Sequence, residues 1–117
     1  MIVVGGGMVG AATALGFARQ GLRVAVIEDQ APAPFAADDA IDLRISAIGC
    51  ASARLLTRLG AWQGVEQMRF APYRRLETWE LSGSEVVFDA QALALPELGF
   101  MLENRLLQLA LWQQLQQ

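Results

Sequence analysis

The first apolar run, Ile2-Val3-Val4, is short and β-branched and stops at Gly5, which predicts a buried strand. From Met8 to Gln20 the apolar positions Met8, Ala12, Leu15 and Ala18 fall close to helical spacing. Gly21 follows at once, where a left-handed cap is expected. Arg23 to Glu28 is then almost continuously apolar, the pattern of a parallel strand covered on both faces. These pieces predict a βαβ unit over residues 1–28 with a right-handed crossover.

Residues 29–43 carry Pro32, Pro34 and several aspartates without periodicity and read as a long loop. Helical spacing returns from Arg44 to Gly60 through Ile45, Ile48, Ala51 or Ser52, Leu55 and Leu59. A short helix over Ala61 to Met68 should turn Trp62 and Val65 inward, so 44–68 is expected to be helical. The runs Arg74–Leu81 and Ser84–Asp89, either side of Ser82-Gly83, predict an antiparallel hairpin within 73–90. Pro96 breaks the chain, Gly99–Leu102 reads as a further strand, and 103–117 reads as a helix with Leu107, Leu111 and Leu115 recurring every four residues. The last stretch, LLQLALWQQLQQ, has no glycine, proline or basic cap, and the first residue already enters a strand. The expectation is therefore the N-terminal part of a larger domain.

Composition narrows the function classes. With 54% hydrophobic residues the 117-residue chain can fill one core. Twelve acidic residues outweigh nine basic ones, and no basic stripe exists to meet nucleic-acid phosphates. All the basic residues are arginine, and the lack of histidine closes histidine base chemistry and ligation; no metal site is expected. Cys50 is alone and reads as a small buried apolar residue. Neither a secretory signal nor an apolar run of bilayer-spanning length is present, so a cytoplasmic location is expected.

Gly5-Gly6-Gly7-Met8-Val9-Gly10 satisfies G-x-G-x-x-G between a strand and a helix. Gly5 would permit the tight turn, Gly7 the approach of a pyrophosphate, and Gly10 close packing of the helix. The backbone of Met8 and Val9 would add free N–H groups at the positive end of the helix. Glu28 lies eighteen residues beyond the last glycine, at the end of the second strand, where a carboxylate accepts hydrogen bonds from an adenosine ribose. The fingerprint by itself leaves FAD and NAD both open. Arg44 at a helix start opposes the dipole and so points to an anionic partner. Asn104 is either a cap of the last helix or a cofactor contact. Arg74 and Arg75 read as a solvated strand face; Trp62, Trp79 and Trp112 read as packing residues. No catalytic acid or base is nominated.

Three further stretches, DLRISAIGCAS (42–52), PYRRLETWE (72–80) and MLENRLLQLALW (101–112), together with IVVGGGMVG and IEDQAPAPF, resemble the ubiquinone-biosynthesis branch of the para-hydroxybenzoate-hydroxylase-like FAD-dependent monooxygenases. Within that branch they most resemble the hydroxylases acting on a demethoxy-ubiquinol ring. The resemblance implies an α/β fold, a Rossmann-like βαβ FAD-binding domain with a parallel sheet and the start of an antiparallel hairpin, truncated. It implies FAD held by Gly5, Gly7, Met8, Val9 and Gly10, with Glu28 on the ribose, Arg44 against the phosphates or flavin edge, and Asn104 or Arg105 as a polar contact. It also implies NAD(P)H as co-substrate, a polyprenyl benzoquinol as substrate, other ubiquinone-pathway enzymes as partners, and peripheral association of the full-length protein with a bacterial inner membrane. Rival expectations are another FAD- or NAD-dependent oxidoreductase with the same fingerprint, and an inactive truncated nucleotide-binding module.

Overall fold

The computed structural model describes residues 1–81 and 83–117. Strand β1 (Ile2–Val4) leads into helix α1 (Met8–Ala18) and returns as β2 (Ala25–Ile27), parallel to β1 with Val3 opposite Val26. Gly21, at φ +80°, ends α1 in a Schellman motif: its N–H donates to Ala18 O and the Leu22 N–H to Phe17 O. The βαβ unit thus forms where the apolar pattern put it. Its strands are not buried, however. Ile2, Val4 and Ile27 are 67%, 80% and 57% exposed, because α1 covers one face of the pair and no element among the described residues covers the other.

After the loop 29–43 the chain enters β3 (Ile45–Gly49) and only then α2 (Cys50–Arg58). This corrects the expected helix from Arg44. Ile45 and Ile48 happen to stand at helical spacing, but 45–49 pair in antiparallel register with β7 (Gly99–Glu103), from Ile45 opposite Glu103 to Gly49 opposite Gly99. A partner fifty or more residues away outweighs the local spacing. Helix α3 (Trp62–Glu66) buries Trp62 and Val65 as expected. A short strand that the pattern did not announce, β4 (Ala71–Tyr73), pairs with the other edge of β7, giving a sheet of order β3-β7-β4. The larger sheet is therefore antiparallel, and among the described residues parallel pairing is confined to β1 and β2.

Strands β5 (Arg75–Glu80) and β6 (Ser84–Asp89) form the expected hairpin, with Leu76 opposite Phe88 and Thr78 opposite Val86. Ser82 in its turn lies outside the described residues. Arg75 is exposed and pairs with Glu77 and Asp89 on the hairpin itself. A 3-10 turn at Gln91–Leu93 leads towards β7, and α4 (Asn104–Leu115) closes the chain. Helix α4 lies against α1 and α3, burying Leu106, Leu107, Ala110 and Leu111. With Ala11 and Leu15 of α1, Leu56 of α2 and Trp62 and Val65 of α3, these residues form the core. Beside it Phe70 packs edge-on against Trp62 and Phe100 at centroid distances of 5.8 and 5.7 Å, and Trp62 and Phe100 pack tilted at 4.9 Å. Trp79, by contrast, is 76% exposed rather than packed, and Cys50 is half-buried, its thiol donating to Glu97 O at 3.4 Å. No helix among the described residues is long and apolar enough to cross a membrane.

Candidate cofactor site

The chain leaves β1 through Gly5, whose φ of +96° is a conformation that a side chain disfavours. The Gly5 N–H donates to Ile27 O at 2.8 Å, holding the turn to the end of β2. Gly7 is the N-cap of α1 and carries no side-chain cap, and the first turn contains no acidic residue. The first helical hydrogen bond runs from Ala11 N–H to Gly7 O at 2.9 Å. The amides of Gly7, Met8, Val9 and Gly10 therefore precede the helical ladder and face outward at the positive end of the dipole.

The glycines divide their roles by what surrounds them. A Cβ at Gly10 would overlap the Gly5 carbonyl oxygen and lie 3.0 Å from its carbon, so α1 can cross the loop this closely only with glycine there. A Cβ at Gly7 meets nothing within 4 Å. Its φ of −65° and ψ of −177° suit any residue. Neither backbone nor neighbours ask for glycine at position 7, whereas an anion approaching the amides does. These features fit a pyrophosphate.

Glu28 closes the other side of the loop. Its Oε2 accepts from Gly6 N–H at 2.6 Å, and its Oε1 from Asp29 and Gln30 N–H at 3.0 and 3.3 Å. These amide bonds, Gly6's foremost, hold the carboxyl below its usual range, so it is ionised at neutral pH. Oε2, which accepts only one of these bonds, retains a lone pair for a further donor such as a hydroxyl.

Helix α4 reaches the same loop. Trp112 Nε1–H and Gln108 Nε2–H both donate to Gly6 O, at 2.6 and 3.0 Å. One turn before Gln108, Asn104 joins β3: its N–H donates to Arg44 O at 2.9 Å, and its Oδ1 accepts from Ser46 Oγ at 2.6 Å. Asn104, Gln108 and Trp112 thus form one stripe at four-residue spacing, running from β3 to the glycines. The N-cap of α4 is Glu103, so Asn104 is not the cap. Arg44 lies in the loop before β3, exposed, and among the described residues no carboxylate pairs with its guanidinium. The helix-dipole argument for its partner falls with the helix. Gln108 and the indole of Trp112 are members of the site that pattern reading missed; the 104/108/112 spacing was their only signal.

Beside Arg44 lies a charged cluster at the start of α4. Glu103, 3% exposed, accepts from Arg69 Nε at 2.6 Å, Arg105 Nε at 3.3 Å and Asp42 N–H at 2.9 Å. Arg69, first of all, and these other donors lower its carboxyl to about 2. Arg69 also donates to Asp39 O and Ala40 O, and Arg105 pairs with Asp39 at 3.1 Å. The cluster ties the loop 29–43 onto β7 and α4, and it commits Arg105 to the protein rather than to a ligand.

Residues 1–40 match the family described as FAD dependent oxidoreductase. The chain is 60% identical over 114 residues to the 3-demethoxyubiquinol 3-hydroxylase of Escherichia coli, an alignment covering 97% of the chain and 29% of that protein. It is 34% identical over 122 residues to the mitochondrial ubiquinone biosynthesis monooxygenase COQ6 of Xenopus tropicalis, covering 99% of the chain and 26% of the relative. To the ubiquinone hydroxylase UbiL of Rhodospirillum rubrum it is 37% identical over 114 residues, covering 95% and 25%. The resemblance to the ubiquinone-biosynthesis hydroxylases thus holds along nearly all of the chain, which spans between a quarter and a third of these relatives' length.

Proposed function

We propose that the chain is the N-terminal FAD-binding portion of a flavin-dependent aromatic monooxygenase that hydroxylates a polyprenyl benzoquinol, a precursor of ubiquinone, with NAD(P)H and O2. The observation that carries this reading is the uncapped start of α1 over a glycine turn, with Gly10 pressed on Gly5 and a space beside Gly7. The proposed division is a Rossmann-like βαβ unit over 1–28, the loop 29–43, a mixed segment 44–68 in place of the expected helices, the hairpin 73–90 and the terminal helix 103–117.

In this reading Gly5 makes the turn, the amides of Gly7, Met8, Val9 and Gly10 hold the FAD pyrophosphate, and Glu28 accepts from the adenosine ribose. Arg44 neutralises a phosphate or lies at the flavin edge, and Asn104 offers a polar contact from the start of α4. The flavin, when bound, supplies the electron and oxygen chemistry. The chain's own task is to bind it, fix its orientation and keep water from the glycine loop. Inner-membrane association and contact with other ubiquinone-pathway enzymes follow from the substrate's long apolar tail.

Titration of the chain with FAD and ADP, followed by amide NMR shifts, tests the cofactor. Quinol-stimulated NADPH oxidation by the longer protein that contains this chain tests the reaction. Failure of a quinol analogue to stimulate O2 consumption overturns the hydroxylase reading, and NAD binding in place of FAD transfers the site to another oxidoreductase. The open β1–β2 face favours a second reading, in which the 117 residues alone bind dinucleotide weakly and catalyse nothing. Measurable quinol hydroxylation by them overturns it.

A further inference from the structure

We propose that Trp112 and Gln108 are positioning residues for the cofactor: together they aim the Gly7 amide at the pyrophosphate. The inference rests on the dinucleotide reading above. It starts from one peptide plane. The Gly6 carbonyl and the Gly7 N–H belong to the same peptide unit, and the chain contains no cis peptide among its described residues. In a trans peptide C=O and N–H point in opposite directions. Two donors on Gly6 O, one from an indole and one from an amide, fix that carbonyl towards α4. They thereby turn the Gly7 N–H away from α4 and outward, where no acceptor among the described residues engages it.

The preceding peptide is fixed as well, because Gly6 N–H donates to Glu28 Oε2. The buried Gly6 is thus held at both of its polar atoms, by the side chain of Glu28 just after β2 and by two side chains of α4. The fit also explains a glycine that the fingerprint leaves free. A Cβ at Gly6 would stand 2.7 Å from Trp112 Cζ2 and 2.9 Å from Glu28 Cβ. The middle residue of G-x-G is glycine here because the clamp closes on it. Without the clamp the Gly6–Gly7 plane is free to rotate, and one of the amides of the anion cradle loses its aim.

The test uses Trp112→Phe, which keeps a ring and removes the donor, and Gln108→Met, which keeps the length and removes the donor. ADP is titrated into the 117-residue chain and followed by amide NMR shifts. Each single variant should weaken ADP binding about three- to tenfold, the size of one net hydrogen bond. The double variant should weaken it by more than the product of the two, since either donor alone still satisfies the shared carbonyl and only the pair leaves it orphaned. Leu111→Ala, on the buried side of α4, serves as the control: it lowers the melting temperature but should leave ADP affinity of the folded chain within about twofold.

Unchanged ADP affinity in both single variants and in the double overturns the clamp while the dinucleotide reading stands. Equal weakening by Leu111→Ala shows a merely structural helix and also overturns it. If the unaltered chain binds neither ADP nor FAD, the dinucleotide reading fails and the clamp falls with it.

Discussion

The same substitution three residues apart should have opposite consequences. Gly10→Ala places a methyl on the Gly5 carbonyl oxygen. Gly5 cannot yield easily, because its φ of +96° and its bond to Ile27 O fix the turn. Helix α1 must then lift from the loop. Overpacking of this kind costs about 1–3 kcal/mol, and contact with rigid backbone puts it at the upper end. The higher helix propensity of alanine returns about 1 kcal/mol. The net loss of about 2 kcal/mol should lower the melting temperature by roughly 8 °C for a chain of this size. Gly7→Ala meets no atom and no strained torsion, so its melting temperature should stay within about 2 °C. Its methyl stands instead in the path of the pyrophosphate, and FAD or ADP affinity should fall more than tenfold, about 1.4 kcal/mol. Circular-dichroism melting and an ADP titration of both variants decide the matter. A Gly10→Ala protein that melts at or above the parent, or a Gly7→Ala protein that binds normally, refutes the reasoning.

Three other outcomes follow from the packing and the charged cluster. Glu103 has its carboxyl lowered from 4.5 to about 2 in the fold, so it contributes stability above the unfolded value and loses it as pH falls from about 4.5 through 2; the contribution is at most about 3 kcal/mol. Melting temperatures read between pH 7 and 2 should show that loss, and Glu103→Gln should flatten it. Arg69→Met should cost about 2–3 kcal/mol, below the fully buried range because Arg105 still pairs with Glu103, and should speed proteolytic cutting within 29–43 relative to the parent. Leu111→Ala, at a fully buried position, should cost about 2–5 kcal/mol by denaturant titration at constant m-value.

Where the sequence could be read, the signal was local. The βαβ unit, the Gly21 cap and the hairpin each rest on residues near one another in the chain, and each formed. Where it misled, the deciding partner was distant. Residues 45–49 carry a helical spacing and two isoleucines together, and only the register with 99–103 selects strand. The error then spread to function: placing Arg44 on a helix start made its charge look misplaced, whereas on the loop before β3 it is simply exposed. Strand burial failed for a related reason. A continuous apolar run in β1 and β2 states that both faces suit apolar neighbours, but among the described residues only α1 supplies one, and Ile2, Val4 and Ile27 are open on the other side.

The candidate site divides along the same line. Gly5 and Gly10 are legible because a positive φ and a helix pressed on a turn are demands of the loop itself. Glu28 is legible because the βαβ unit returns it beside Gly6. Gln108 and Trp112 lie about a hundred residues from the glycines and meet them only because α4 packs on α1. The motif therefore specifies the curvature of the loop but not the orientation of its central peptide. That orientation depends on α4 reaching the loop, which depends in turn on β7 finding its place between β3 and β4. A substitution that disturbs this antiparallel sheet should consequently weaken dinucleotide binding without touching a residue of the fingerprint.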